Sequence, residues 1–174
     1  MEEKTISILK VNLLGLLFFL VSAPLILYLY SLLHELNITT ILDETNDIVY
    51  FILLFVLSII FHEFIHAAVF ALFAQNKWRS IKIGVLWKHM TPYAHCSEPL
   101  RKSQYTLALV SPGVILGLIP VCFAFVNGHT LILIYGLIML FAAIGDFIIL
   151  TMLYSIPKDK KILDHNNKVG FWVE

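Results

Sequence analysis

Charge is what this sequence has least of. Only 14% of its 174 residues are Asp, Glu, Lys or Arg, against roughly 25% in a soluble domain. Twelve basic residues balance twelve acidic ones, so the net charge is zero. The basic residues form no block, which argues against nucleic acid as a partner. The two cysteines, Cys96 and Cys122, are too few for a disulfide framework, and their spacing fits no cysteine-type zinc pattern. The chain contains no internal repeat and no low-complexity segment. Instead, 59% of the residues are hydrophobic and the mean hydropathy is +0.86. These values describe an integral membrane protein, with residues 1–174 forming one membrane-embedded domain.

Four stretches are long enough to cross a hydrocarbon core, which takes roughly 20 residues of helix: Val11–Leu33, Val49–Ala74, Tyr105–Val126 and Leu131–Ile156. The first is not read as a cleaved signal peptide. Its apolar run is long, Glu2, Glu3 and Lys4 are not net positive, and Pro24 follows the only plausible cleavage residue, Ala23. Lys4 and Lys10 precede the first span. Lys77, Arg79, Lys82, Lys88, Arg101 and Lys102 lie between the second and third, and Lys158, Lys160, Lys161 and Lys168 follow the fourth. All the basic residues therefore fall on one side of a four-span chain. By the positive-inside rule this places both termini, the middle loop and a tail over 157–174 in the cytoplasm of a multi-pass cell-membrane protein.

The middle loop is more than a linker. Ile81, Ile83, Val85 and Trp87 alternate with Lys82, Gly84, Leu86 and Lys88, a pattern that predicts a strand. A turn at Met90-Thr91-Pro92 and a return strand over Tyr93–Cys96 would complete a small cytoplasmic β-hairpin. The expected fold is all-α: four membrane helices carrying that hairpin-like loop.

Inside the second span stands His62-Glu63-Phe64-Ile65-His66, an H-E-x-x-H sequence. Four residues of helix put His62 and His66 on one face, one turn apart, as two ligands of one metal require. Glu63 sits beside them, free to take a proton from water without binding the metal. Charged groups at helix-centre depth cost about 2.5–3.5 kcal/mol each on insertion scales, so such a cluster needs a partner. Zn²⁺ is the expected cofactor.

A catalytic zinc site takes a third protein ligand and leaves a position open. The only other carboxylate within a predicted span is Asp146, in Gly145-Asp146 of the fourth. At 1.5 Å per residue, His62, His66 and Asp146 lie roughly 18, 12 and 15 Å from the inner ends of their spans, one level of the membrane. Gly145 would admit a close helix neighbour. Other candidates fit less well. His34-Glu35 lies at the outer end of the first span and reads as an interfacial pair. His89, His95, Cys96 and Glu98 follow no established ligand spacing, although His95 or Cys96 could stand near the mouth of a zinc site. His129 and His165 receive no role. Ser111-Pro112-Gly113 and Pro120 are expected to kink the third span or open its backbone.

Together, His62-Glu63-Phe64-Ile65-His66, Tyr93-Ala94-His95-Cys96, Ser111-Pro112 and Gly145-Asp146 give a resemblance, from about Val49 to Ile156, to intramembrane zinc metalloproteases of the site-2 protease type. The chain resembles more closely a small bacterial family of zincin-type membrane peptidases. This resemblance implies His62, His66 and Asp146 as metal ligands and Glu63 as the catalytic base. The chain has no Asn-Pro-Asp-Gly element and no PDZ-like domain, so the oxyanion-stabilising group and the means of substrate selection do not carry over.

The expected activity is hydrolysis of peptide bonds in membrane or membrane-proximal segments of a protein or peptide substrate. A strand around Ile81–Trp87 is expected to hold the unwound substrate by edge pairing. The rival reading is a non-catalytic zinc-binding scaffold or a pseudoprotease that holds a partner protein. Glu63 favours the enzyme, because binding zinc needs no carboxylate there. A metal transporter subunit fits less well, since the spans carry no further carboxylates to form a pathway.

Overall fold

A computed structural model describes residues 1–36, 45–87, 91–166 and 168–174; His89 lies outside these residues. The elements follow the order β1 (Glu2–Ile6), α1 (Ile8–Ser31), α2 (Thr45–Phe73), β2 (Ile81–Leu86), β3 (Thr91–Cys96), β4 (Leu100–Arg101), α3 (Lys102–Pro112), α4 (Ile119–Asn127), α5 (Thr130–Ala142), α6 (Ile144–Tyr154), β5 (Lys161–Asp164) and β6 (Val169–Val173). Three helical stretches are long and apolar enough to cross a membrane: Ile8–Ser31, Val49–Phe73 and Lys102–Asn127. The pair α5 and α6 makes a fourth if counted as one span bent by 49°.

Two spans depart from straight helices. Between α3 and α4 the backbone widens to a π-helix over Gly113–Leu118, immediately after Ser111-Pro112. A proline cannot donate to the helix ladder, and a wide turn is one way to absorb that loss. The fourth stretch breaks at Ala143, whose φ of −80° and ψ of 4° fall outside the helical well. The uninterrupted span over Leu131–Ile156 is thereby corrected to two helices.

The helices meet through small residues. A Cβ added to Gly136 of α5 would stand 2.9 Å from the Gly117 carbonyl oxygen and 3.0 Å from the Val121 nitrogen, so α5 crosses the π-turn backbone to backbone. Gly145, by contrast, has only ordinary contact with Val11. The close approach of α1 occurs at Gly15, where an added Cβ would lie 2.6 Å from Ile144. Between α2 and α5, Ser58 donates to the Leu54 carbonyl at 2.7 Å and accepts from the Tyr135 hydroxyl at 2.8 Å.

The chain is mostly helical but not all-α. The two hairpin strands pair, with Ile81 opposite Cys96, Ile83 opposite Ala94 and Val85 opposite Pro92. Thr91 and Pro92, expected in the turn, belong to β3, and Met90 lies outside the described residues. A second, four-stranded antiparallel sheet has the order β1-β6-β5-β4 and joins the two ends of the chain, with Glu3 opposite Trp172. Residues 157–174 are therefore not a simple polar tail. They form β5 and β6, whose Ile162, Phe171 and Val173 pack in one core with Phe70, Tyr105, Ala108, Ile149 and Leu153. A smaller core of Tyr30, Val121, Ala124, Leu133 and Leu137 lies among α1, α4 and α5.

Candidate metal centre

Helix α2 presents His62 and His66 one turn apart, both buried, and the break at Ala143 brings Asp146 to them from the first turn of α6. His62 Nε2 lies 3.1 Å from Asp146 Oδ2, His66 Nε2 lies 3.3 Å from the same oxygen, and the two Nε2 atoms are 3.2 Å apart. Four ligand atoms placed tetrahedrally around zinc at 2.0–2.1 Å are separated by about 3.3 Å. The triangle therefore has the dimensions of one face of a zinc tetrahedron. Among the described residues, these three alone form a cluster that could hold a metal ion.

Hydrogen bonding fixes how one imidazole faces the centre. His66 Nδ1 lies 2.8 Å from the Ala108 carbonyl oxygen. A carbonyl only accepts, so Nδ1 carries the proton and Nε2 of the neutral ring turns a lone pair inward. That lone pair faces a carboxylate oxygen and a second imidazole, an arrangement a cation reconciles. His62 Nδ1 is buried and makes no hydrogen bond with the described residues. The donor set, two imidazoles and one carboxylate, suits zinc and leaves a fourth position.

The centre opens into a cavity of about 620 Å³. Its walls include Val11 and Asn12 of α1, Glu63 of α2, Pro92–His95 of β3, and Asp164 and Val169 of the C-terminal strands. Half-buried Glu63 stands beside the two histidines, with its carboxylate within reach of the Ala94 backbone N–H. In an extended strand, the N–H and C=O of one residue point the same way. The edge of β3 that bears Ala94 therefore faces the cavity, while its other edge pairs with β2. Among the described residues, none of β2 lines the cavity. Of the two hairpin strands, β3 is the one whose described residues line the cavity.

The remaining candidates fall elsewhere. His34 Nε2 donates to the Phe125 carbonyl at 2.7 Å and is not paired with Glu35. His129 stacks on Phe123, and His165 stacks on Trp172 while contacting Glu3. Cys96 belongs to the core, where burial pushes its thiol up from the ordinary value. The Glu98 carboxylate accepts from Ser80 Oγ, from Asn76 Nδ2 at 2.6 Å, and from the backbone N–H groups of Gln75 and Asn76. These donors, Ser80 foremost, hold its carboxyl below the usual range, and Glu98 ties the end of α2 to the foot of the hairpin.

Sequence reasoning assigns no role to Asp164 and Tyr105. Asp164 Oδ2 accepts from His95 Nδ1 at 2.9 Å, and its Oδ1 accepts from the Tyr105 hydroxyl at 2.7 Å. The only sequence signal is a carboxylate ending the short apolar run Ile162-Leu163, inside a segment that reads as tail.

Residues 54–161, more than half of the chain, match the model of a family described as "Putative zincin peptidase". No curated protein and no solved structure matches the chain.

Proposed function

Starting from the zincin peptidase family, to which this chain belongs, we propose an intramembrane, site-2 protease-like endopeptidase. It cuts peptide bonds in membrane or membrane-proximal segments of other proteins. The observation that carries this reading is the convergence of His62, His66 and Asp146 beside Glu63 at the wall of a cavity.

His62, His66 and Asp146 would hold the zinc. Bound there, the ion supplies a Lewis acid that polarises a carbonyl and lowers the pKa of water. The Glu63 carboxylate accepts a proton from the attacking water. As the C–N bond breaks, it returns that proton to the leaving amine. A helical substrate must unwind first, because its amides are already bonded to one another. The free edge of β3, with the Pro92 and Ala94 carbonyls along it, offers the unwound chain new partners.

The membrane setting rests on long helices that turn large apolar residues outward, among them Leu13, Leu17, Phe18, Leu20 and Val21 on α1 and Ile52, Leu53 and Leu57 on α2. Lipid is the natural solvent of such apolar helix surfaces. The one-sided basic residues set both termini and residues 78–104 in the cytoplasm. Single cysteines placed by Lys88→Cys and Lys158→Cys, in a chain without Cys96 and Cys122, should react with an impermeant maleimide only after cells are opened. Labelling of Lys88→Cys in intact cells would overturn this orientation.

The deciding experiment is metal removal. Purified protein should cleave a member of a quenched-fluorescent peptide library, lose that activity on dialysis against a chelator, and recover it with one equivalent of zinc. Cleavage indifferent to chelation would refute the reading. Zinc binding without cleavage of any library member or membrane protein would favour the scaffold.

A further inference from the structure

The cavity has a second polar pole. His95 of β3 lines the same cavity as the metal triad, although only 5% of its surface is exposed. An ionised carboxylate only accepts, so the 2.9 Å contact with Asp164 assigns the proton on this edge of the ring to Nδ1. Asp164 is held in turn by the hydroxyl of fully buried Tyr105. Both carboxylate oxygens are engaged, which restrains the group from turning away. Nε2, at the far edge of the ring, makes no hydrogen bond with the described residues. The next residue back along β3, Ala94, reaches the Glu63 carboxylate with its N–H.

An imidazole and a carboxylate are costly to take out of water. If the purpose were only to fasten β3 to β5, apolar side chains would serve with less penalty. What the pair adds is a cavity-facing imidazole with one nitrogen fixed and the other free. Because Nδ1–H is given to Asp164, the ring donates from Nε2 as the imidazolium, whose charge Asp164 balances.

We propose that His95 is a further catalytic residue, donating a hydrogen bond from Nε2–H to the oxyanion formed at the scissile carbonyl, with Asp164 and Tyr105 as its positioning residues. The proposal rests on the peptidase reading above. Water oxygen bonds to the carbonyl carbon, one of its protons passes to Glu63, and the C=O π pair becomes the oxyanion that His95 meets. Collapse restores C=O, breaks C–N and sends the Glu63 proton to the amine. A donor fixed beforehand where charge develops stabilises the transition state more than the ground state.

The test uses the full chain, zinc-loaded, in nanodiscs, with a library peptide that the wild type cleaves. Two zinc-directed probes are added: a dipeptide phosphonate, whose tetrahedral charged oxygen mimics the oxyanion, and a dipeptide hydroxamate, which lacks that oxygen. His95→Gln should lower kcat by about 10²–10³, as removal of an oxyanion donor does elsewhere. KM, zinc content and hydroxamate affinity should stay within about threefold, while phosphonate affinity falls by about tenfold or more. Asp164→Asn should shift the same quantities in the same direction by less, and it carries the test if His95→Gln does not fold. A kcat within about threefold of wild type in the folded, zinc-replete variant, or an equal loss of both probes, would overturn the proposal. A wild type that never cleaves in a zinc-dependent way would remove the peptidase reading and this role with it, a pattern distinct from turnover that survives His95→Gln.

Discussion

The Glu63→Gln protein is expected to bind one zinc, unfold at the wild-type temperature and cleave almost nothing. Gln keeps the length of Glu and a side-chain oxygen to accept from the Ala94 N–H, the backbone group that reaches Glu63. None of the three contacts among His62, His66 and Asp146 involves residue 63, so the metal triangle is left whole. What disappears is the basicity. Loss of general-base help costs about 10²–10⁴ in rate, and more where the nucleophile depends on it. A substrate should therefore accumulate uncut and co-purify with the variant, since binding survives while turnover does not. Metal analysis, thermal unfolding and single-turnover cleavage check the three parts separately. Wild-type rates in a zinc-replete Glu63→Gln protein would show that the proteolysis comes from elsewhere.

The residues governing this prediction are legible in the amino-acid sequence for a physical reason. His62, Glu63 and His66 lie within one helical turn, where sequence spacing is spatial spacing. Asp146 is reached by a weaker route, as the only other carboxylate at a matching depth in an apolar span. That route does not foretell how it arrives. Nothing louder than Gly145 marks the break at Ala143, because propensity is a weak signal inside an apolar run. Yet the bend re-aims α6 and sets Asp146 in its first turn, where a carboxylate also meets the positive end of the helix dipole.

The sheets divide in the same way. β2 and β3 are neighbours in the chain, and their alternation is legible locally. β1 is only Glu-Glu-Lys-Thr-Ile, five residues with three charges, and pairs with β6 at the opposite end of the chain. Local periodicity carries no information about a partner that distant. The C-terminal run Val-Gly-Phe-Trp-Val does have strand composition, so β6 is the element most open to detection. Without it Asp164 stays hidden, and with Asp164 the reason for His95. Gly170 belongs to the same strand. Its φ of +144° and the Lys4 and Thr5 backbone atoms crowding its missing Cβ show a site that only glycine fits.

Zinc content should separate the ligands from the bystanders most sharply. His62→Ala, His66→Ala and Asp146→Ala each remove one corner of a triangle whose sides are 3.1, 3.2 and 3.3 Å. Disturbing even an outer partner of a metal ligand typically costs about 10–100-fold in affinity, so deleting a ligand should cost more than that. Each of the three should purify with a small fraction of the wild-type zinc. Each should also lose the rise in unfolding temperature that added zinc gives the wild type, because a ligand stabilises only the state that binds it. His34→Ala and His165→Ala serve as controls. The first removes a bond to the Phe125 carbonyl and the second a stack on Trp172, and neither residue belongs to the triangle. Both should keep stoichiometric metal even if they unfold earlier. Full zinc retention in Asp146→Ala would move the third ligand to another donor. His95, the buried imidazole of β3 in the same cavity, would be tested first, and its Nε2 would then serve the metal and not the oxyanion.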